Sequence, residues 1–198
     1  MIWSVDRASG IAALLLASLS IVVGLLQARK SPLLKPGDRF PLHEAIGIGV
    51  IVAIAIHGFS YAVDGFFKAG FVGALVPFAS PYRPLAVAAG QIAAYGLVGL
   101  SLTFYLRKRI GTQRWRKAHR VIPAFWALAV IHGFTAGSDA MRPWFLISVL
   151  APVGVALVML AARAEDRASS DQRPARSGPA RGPALPTRTA PGGSPAGR

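Results

Sequence analysis

The chain has four histidines, and each falls in or at the end of an apolar segment. His43 and His57 stand 14 residues apart in PLHEAIGIGVIVAIAIHGFSYA, and His119 and His132 stand 13 apart in KAHRVIPAFWALAVIHGFTAG. On a helix rising 1.5 Å per residue these intervals cover about 21 Å and about 20 Å, most of a bilayer hydrocarbon core of roughly 30 Å. Neutral imidazole is a common metal ligand. Two such helices offer two levels of imidazole, one pair near a membrane face and one deeper. Two stacked haems with axial ligands on both sides require that arrangement.

The composition says what must position these residues. The sequence is 53% hydrophobic and 15% charged, against about 25% charged in soluble domains. Its apolar residues gather in stretches of roughly 17 to 22, long enough to span a bilayer. This predicts an all-α integral membrane domain over residues 1–162. The net charge of +14 is concentrated between the apolar stretches and in the tail. That is a topology signal, and no nucleic-acid partner is expected. The absence of cysteine excludes disulfides, cysteine-ligated iron–sulfur clusters and C-x-x-C-H haem attachment. Any haem must be held non-covalently, through histidine.

Five helices are expected. The first covers about Ala8 to Ala28. It is longer than a signal-peptide core and is followed by ARKSPLL instead of a small-x-small site, so a retained helix is expected. Pro32, Pro36 and Gly37 break the loop after it. The second helix runs about Leu42 to Val63. Residues 64–84 are apolar but interrupted by Gly and Pro, which fits an interfacial or re-entrant segment buried against protein. A third helix is expected at about Leu85 to Leu106, a fourth at Trp115 to Thr135 and a fifth at Trp144 to Ala162. Residues 163–198 turn to Arg, Pro, Gly, Ala and Ser, the composition of a disordered tail.

Lys and Arg counts orient the helices. Arg29, Lys30, Lys35 and Arg39, the loop Arg107 to Lys117 and the tail fall on one side, which is cytoplasmic by the positive-inside rule. The N-terminus is then outside and the C-terminus inside, in a multi-pass protein of the cell membrane. The second and fourth helices run parallel in this topology. His43 and His119 share the inner level, and His57 and His132 the outer. AIHGF (55–59) and VIHGF (130–134) repeat around the outer pair, and Gly58 and Gly133 leave room for a flat macrocycle. One spacing resists: 14 residues rotate by about −40° on an ideal helix, but 13 rotate by about 220°, off the face. Pro123 lies between His119 and His132, where it can bend the helix or shift its register.

Other readings of the same residues exist. The histidines could pack between helices in a haem-free membrane anchor or interaction protein. Transition-metal transport is a third reading, with few carboxylates and only three methionines to support it.

Paired histidines at 14 and 13 residues on alternate helices resemble the ferric reductase transmembrane domain family. That family is shared with NADPH oxidases and with the haem subunit of the bacterial methionine sulfoxide reductase system. WRKAHRVIPAFWALAVIHGF is similar to the family's W-[RK]-x-[LA]-H-R core. The resemblance covers roughly residues 1–162. It implies two b-type haems, His43 with His119 and His57 with His132, and electron transfer across the membrane. The full-length reductases and oxidases also carry a cytoplasmic flavin and nicotinamide domain. No nucleotide-binding fold is expected in the last 36 residues here. The electron is then expected from a separate flavoprotein or from quinol, and an external acceptor takes it.

Haem propionates need cations. Arg120, with Arg116 and Lys117, flanks the inner pair, and Arg39 is close in sequence; Arg83 and Arg142 are candidates on the outer side. Phe125 and Trp126 lie midway between His119 and His132 and could sit between two haems or pack as ordinary aromatics. Asp64, Asp139 and Gln91 are polar residues that could move protons, cap loops or pack helices.

Overall fold

The computed structural model describes residues 2–33 and 35–171. Among these residues the helices are α1 (Ile2–Ala28), α2 (Arg39–Val63), α3 (Gly70–Leu75), α4 (Pro84–Leu102), α5 (Arg107–Ile110), α6 (Thr112–His119), α7 (Ile122–Ala136) and α8 (Pro143–Asp171). There is no strand among the described residues. Among the described residues, four helices are long and apolar enough to cross a membrane: α1, α2, α4 and the Pro143–Glu165 part of α8. This is a multi-pass membrane protein. Contacts divide the chain into Met1–Ala162 and Arg163–Arg198.

Several boundaries differ from those expected. α1 starts at Ile2, because its polar first turns find tertiary partners. Arg7 pairs with Asp139, and Asp6 is buried. The third helix ends at Leu102, and Phe104 to Arg107 turn through bonds to residues three back. α8 continues through Arg163 to Asp171, past the expected start of the tail. That stretch, RAEDRASSD, is rich in good helix formers. The rest of the expected tail, 172–198, lies outside the described residues.

The fourth helix is two helices. α6 ends at His119 and α7 begins at Ile122. Pro123 explains the break: it has no N–H to give, and its ring would meet the carbonyl four residues back, that of His119. Arg120 and Val121 instead bond to Lys117 and Ala118, three residues back, at 3.3 and 3.0 Å. Pro123 occupies the first turn of α7, where its missing donor costs nothing.

The packing defines two ends of the Met1–Ala162 unit. α1 and α2 are antiparallel neighbours, and so are α4 and α7. At one end the start of α1 meets the end of α2 and the turn after α7, through Asp6 with His57 and Arg7 with Asp139. At the other end Phe104 packs on Phe40 at 5.1 Å and on Trp115 at 5.7 Å. There Tyr105 donates to Glu44 Oε1 at 3.0 Å. That bond raises the pKa of the phenol, because the bond to the carboxylate favours its protonated form. Leu14, Ile21, Val50, Leu97, Trp126 and Val149 form the core between the ends. Trp126 is buried, and its indole N–H donates to Ser18 Oγ at 3.0 Å. The Ser18 hydroxyl in turn donates to the Leu14 carbonyl at 2.9 Å.

α3 and its flanks lie against α2 and α4. Gln91 Nε2 ties α4 to the Gly73 carbonyl at 2.9 Å. Ala69 and Gly73 are buried while Phe66, Val72 and Phe78 are exposed. One side of this segment therefore meets protein and the other does not, as in an interfacial segment.

Ser18→Ala should strand a buried indole N–H and cost about 1–3 kcal/mol of stability. The expected readout is a lower thermal unfolding midpoint in detergent. An unchanged midpoint would show that Trp126 finds another acceptor.

Candidate functional site

α2 and α7 run parallel, and their histidines meet in two pairs. The rings of His43 and His119 have centroids 6.3 Å apart and planes at 83°. Those of His57 and His132 lie 6.1 Å apart at 67°. The break at Arg120–Val121 is what lets a 13-residue interval serve both levels, since it frees His119 from the register of α7.

The separation itself is informative. A metal–imidazole nitrogen bond is about 2 Å and that nitrogen lies about 1 Å from its ring centroid, so rings on opposite sides of one metal sit about 6 Å apart. A direct hydrogen bond between imidazoles, at about 3 Å between nitrogens, would bring the centroids to about 5 Å. Both pairs match the first distance. Among the described residues no three His, Cys, Asp or Glu side chains gather closely enough to hold an ion. The pairs therefore suit a metal whose remaining positions are already filled, as in a haem.

Three of the four ligand candidates have a polar contact at Nδ1. His132 Nδ1 contacts the Ala86 carbonyl at 2.8 Å and His57 Nδ1 the Asp6 carbonyl at 2.9 Å. A carbonyl only accepts, so both Nδ1 atoms carry the proton and Nε2 is left to ligate. His43 Nδ1 stands 3.4 Å from Ser20 Oγ. His119 Nδ1 is buried with no partner, and the ring lies 5.0 Å from Trp115.

Three glycines on neighbouring helices provide the seats. A Cβ at Gly10 would lie 2.9 Å from His57 Cε1, one at Gly24 3.2 Å from His43 Cε1, and one at Gly90 2.6 Å from His132 Nδ1. Gly10 and Gly24 are 14 residues apart on α1, the same interval as the histidines they face on α2. Gly58, singled out by its place in the repeat, has nothing within 4 Å of a Cβ position, and Gly133 faces Leu14. A cavity of about 590 Å³ opens around the outer pair, lined mainly by apolar residues including Ile11, Leu14, Ile54 and Val87. That volume is in the range of cofactor pockets.

The expected cations are placed differently from one another. Arg83 caps the start of α4 with a left-handed backbone, and its guanidinium donates to the Thr135 carbonyl. It does not line the cavity, whereas Arg7 does, beside Asp139 and Trp3. Arg120 is exposed in the turn directly after His119, as Arg116 and Lys117 are exposed before it. Arg39 donates to the Ser31 carbonyl at 2.9 Å, and Arg142 is exposed. Asp64 accepts from the Phe66 backbone N–H at 2.7 Å, as a loop cap does. Asp139 pairs with Arg7. Phe125 packs over Gly96 on α4, and Trp126 lies in the core between the two levels. Asp6, Arg7, Gly10, Gly24 and Gly90 escaped the sequence reading. The 14-residue interval on α1 was the one visible signal for two of them.

The sequence profile of the ferric reductase like transmembrane component family matches residues 9–130. No curated protein and no solved structure matches the chain.

Gly90→Ala should push His132 off its seat, whereas Gly58→Ala should change nothing at the histidines. The check is the haem content and low-spin absorption of each variant beside the parent. Equal loss in both variants would remove the steric account of the seat.

Proposed function

The chain belongs to the ferric reductase-like transmembrane family, and on that premise we propose a di-haem b-type cytochrome that relays electrons across the cell membrane. The supporting observation is the pair of imidazole gaps of metal-bridging width, stacked along α2 and α7. His43 and His119 would hold the inner haem, and His57 and His132 the outer. When bound, a b-type haem supplies one-electron carriage between its ferric and ferrous states. The protein supplies the ligands, their orientation and a dry surround. The Ala86 and Asp6 carbonyls orient the outer imidazoles, and Gly10, Gly24 and Gly90 let them sit close to helix backbones. Apolar lining keeps water from the outer level, and Trp126 packs the space between levels. With two imidazoles at each level, His43 with His119 and His57 with His132 would hold haem for electron carriage and not for oxygen binding.

In this reading five segments cross: α1, α2, α4, α6–α7 and α8. The N-terminus is outside and the C-terminus in the cytoplasm. Support comes from charge and from contact together. The Lys- and Arg-rich segments 29–39 and 107–120 gather at the end marked by Phe40, Phe104 and Trp115. The start of α1 and the turn after α7 meet at the other end, as four crossings between them require. Electrons come from a separate cytoplasmic flavoprotein or from quinol and leave to an external acceptor. Arg120, directly after His119, and Arg7, which lines the outer cavity beside Asp139, are the cations proposed for propionates. Arg83 remains an outer candidate only if its bond to Thr135 is released.

The test is the absorption spectrum of the purified protein, oxidised and dithionite-reduced, with haem counted per chain. About two haems per chain with a sharp reduced b-type band are expected. His57→Ala or His132→Ala should remove the outer haem and leave the inner. A colourless protein from a haem-supplying host would overturn the reading.

A further inference from the structure

The two histidine levels are backed unequally. At the outer level both Nδ1 atoms have backbone acceptors, at 2.9 and 2.8 Å. At the inner level His43 has only a contact of 3.4 Å to Ser20, and His119 has none.

The outer level also has a carboxylate behind its ligand. Asp6 is 7% exposed and lines the outer cavity. Its Oδ1 lies 3.0 Å from His57 Nδ1, beside the carbonyl of the same residue at 2.9 Å. Arg7, its neighbour in sequence, is turned to Asp139 and lies over the Trp3 ring, 4.1 Å from its centroid. Tyr61, on the same face, bonds to Ser80 Oγ at 2.5 Å. The inner level has the opposite surround. Arg116, Lys117 and Arg120 flank His119, and Glu44, next to His43 in sequence, is engaged by Tyr105.

We propose that Asp6 is a positioning and charge-tuning residue for the outer ligand His57, and that it makes the outer haem the lower-potential of the two. This rests on the di-haem reading above. A ferric haem carries one more positive charge than a ferrous one. A buried carboxylate behind its ligand therefore stabilises the oxidised state, and in a low-dielectric site that effect is strong. Carbonyl acceptors on both outer Nδ1 atoms act in the same direction, by making the imidazoles more basic. Basic residues at the inner level favour the reduced state there. With the topology proposed, an inside-negative membrane potential favours outward electron movement. The potential across the membrane then offsets the step to a lower-potential outer haem, which delivers a more strongly reducing electron to the external acceptor.

Asp6→Asn separates the charge from the geometry, since the backbone carbonyl that orients His57 is untouched. The measurement is an equilibrium redox titration of the purified protein, followed at the reduced b-type band. Two components are expected in the parent. His119→Ala, which removes the inner haem, should leave the lower one. In Asp6→Asn the lower component should rise by about tenfold in its reduction constant, about 59 mV for one electron, with the other unmoved. Asp6→Ser, which also keeps the carbonyl, is the second variant. No shift, or a shift in the higher component, overturns the proposal, as does loss of the outer haem in both variants, which would make Asp6 structural. A parent protein that binds no haem would instead overturn the di-haem reading.

Discussion

A buried imidazole has two nitrogens, and each must be given a partner or left at a cost. Much of this bundle follows from that requirement, which is met at the outer level and left unmet at His119 Nδ1. At the outer level the backbone supplies an acceptor to each Nδ1, from Asp6 on α1 and from Ala86 at the start of α4. This fixes which helices must lie behind α2 and α7. The two rings themselves stand 6.1 Å apart, a separation of metal-bridging width. Close approach of the rings to neighbouring helices then requires glycine, and Gly10 and Gly90 occur where α1 and α4 pass.

The second constraint is rotational. Two parallel helices can present ligands at two levels only if both intervals return to the same face. Fourteen residues on α2 nearly do so, and thirteen on a continuous helix do not. Pro123 resolves this by ending α6 at His119 and restarting the chain as α7. The residue that interrupts the span is thus part of what aligns the site. Its cost is small, because the ring sits in a first turn where no donor is missed.

Charge divides the two ends. Basic residues crowd the end with His43 and His119, and a partly compensated acidic cluster, Asp6 and Asp139 with Arg7, marks the end with His57 and His132. The first arrangement serves membrane topology. The second has no such reason, because burying Asp6 against an imidazole costs desolvation that a surface carboxylate would avoid. In the proposed di-haem reading, its place behind His57 gives that cost a use.

What the sequence determined by itself was everything local and periodic. Long apolar runs meant membrane helices, because no other open structure satisfies its backbone in lipid. The histidine intervals on α2 and on the α6–α7 segment could be read against helix rise, and Pro123 marked the place where one helix must yield. Left to the tertiary structure were the residues that act across helices. Gly10, Gly24 and Gly90 look like ordinary small residues of membrane helices until a ring from another helix is seen against them. Nothing in the sequence singled out Asp6, and Arg83 stood as an outer cation candidate, until folding buried the one and turned the other to Thr135. The physical reason is the same in each case. Apolar periodicity is a property of one helix, whereas a seat, an acceptor or a field is a property of two, and their register is set only by packing.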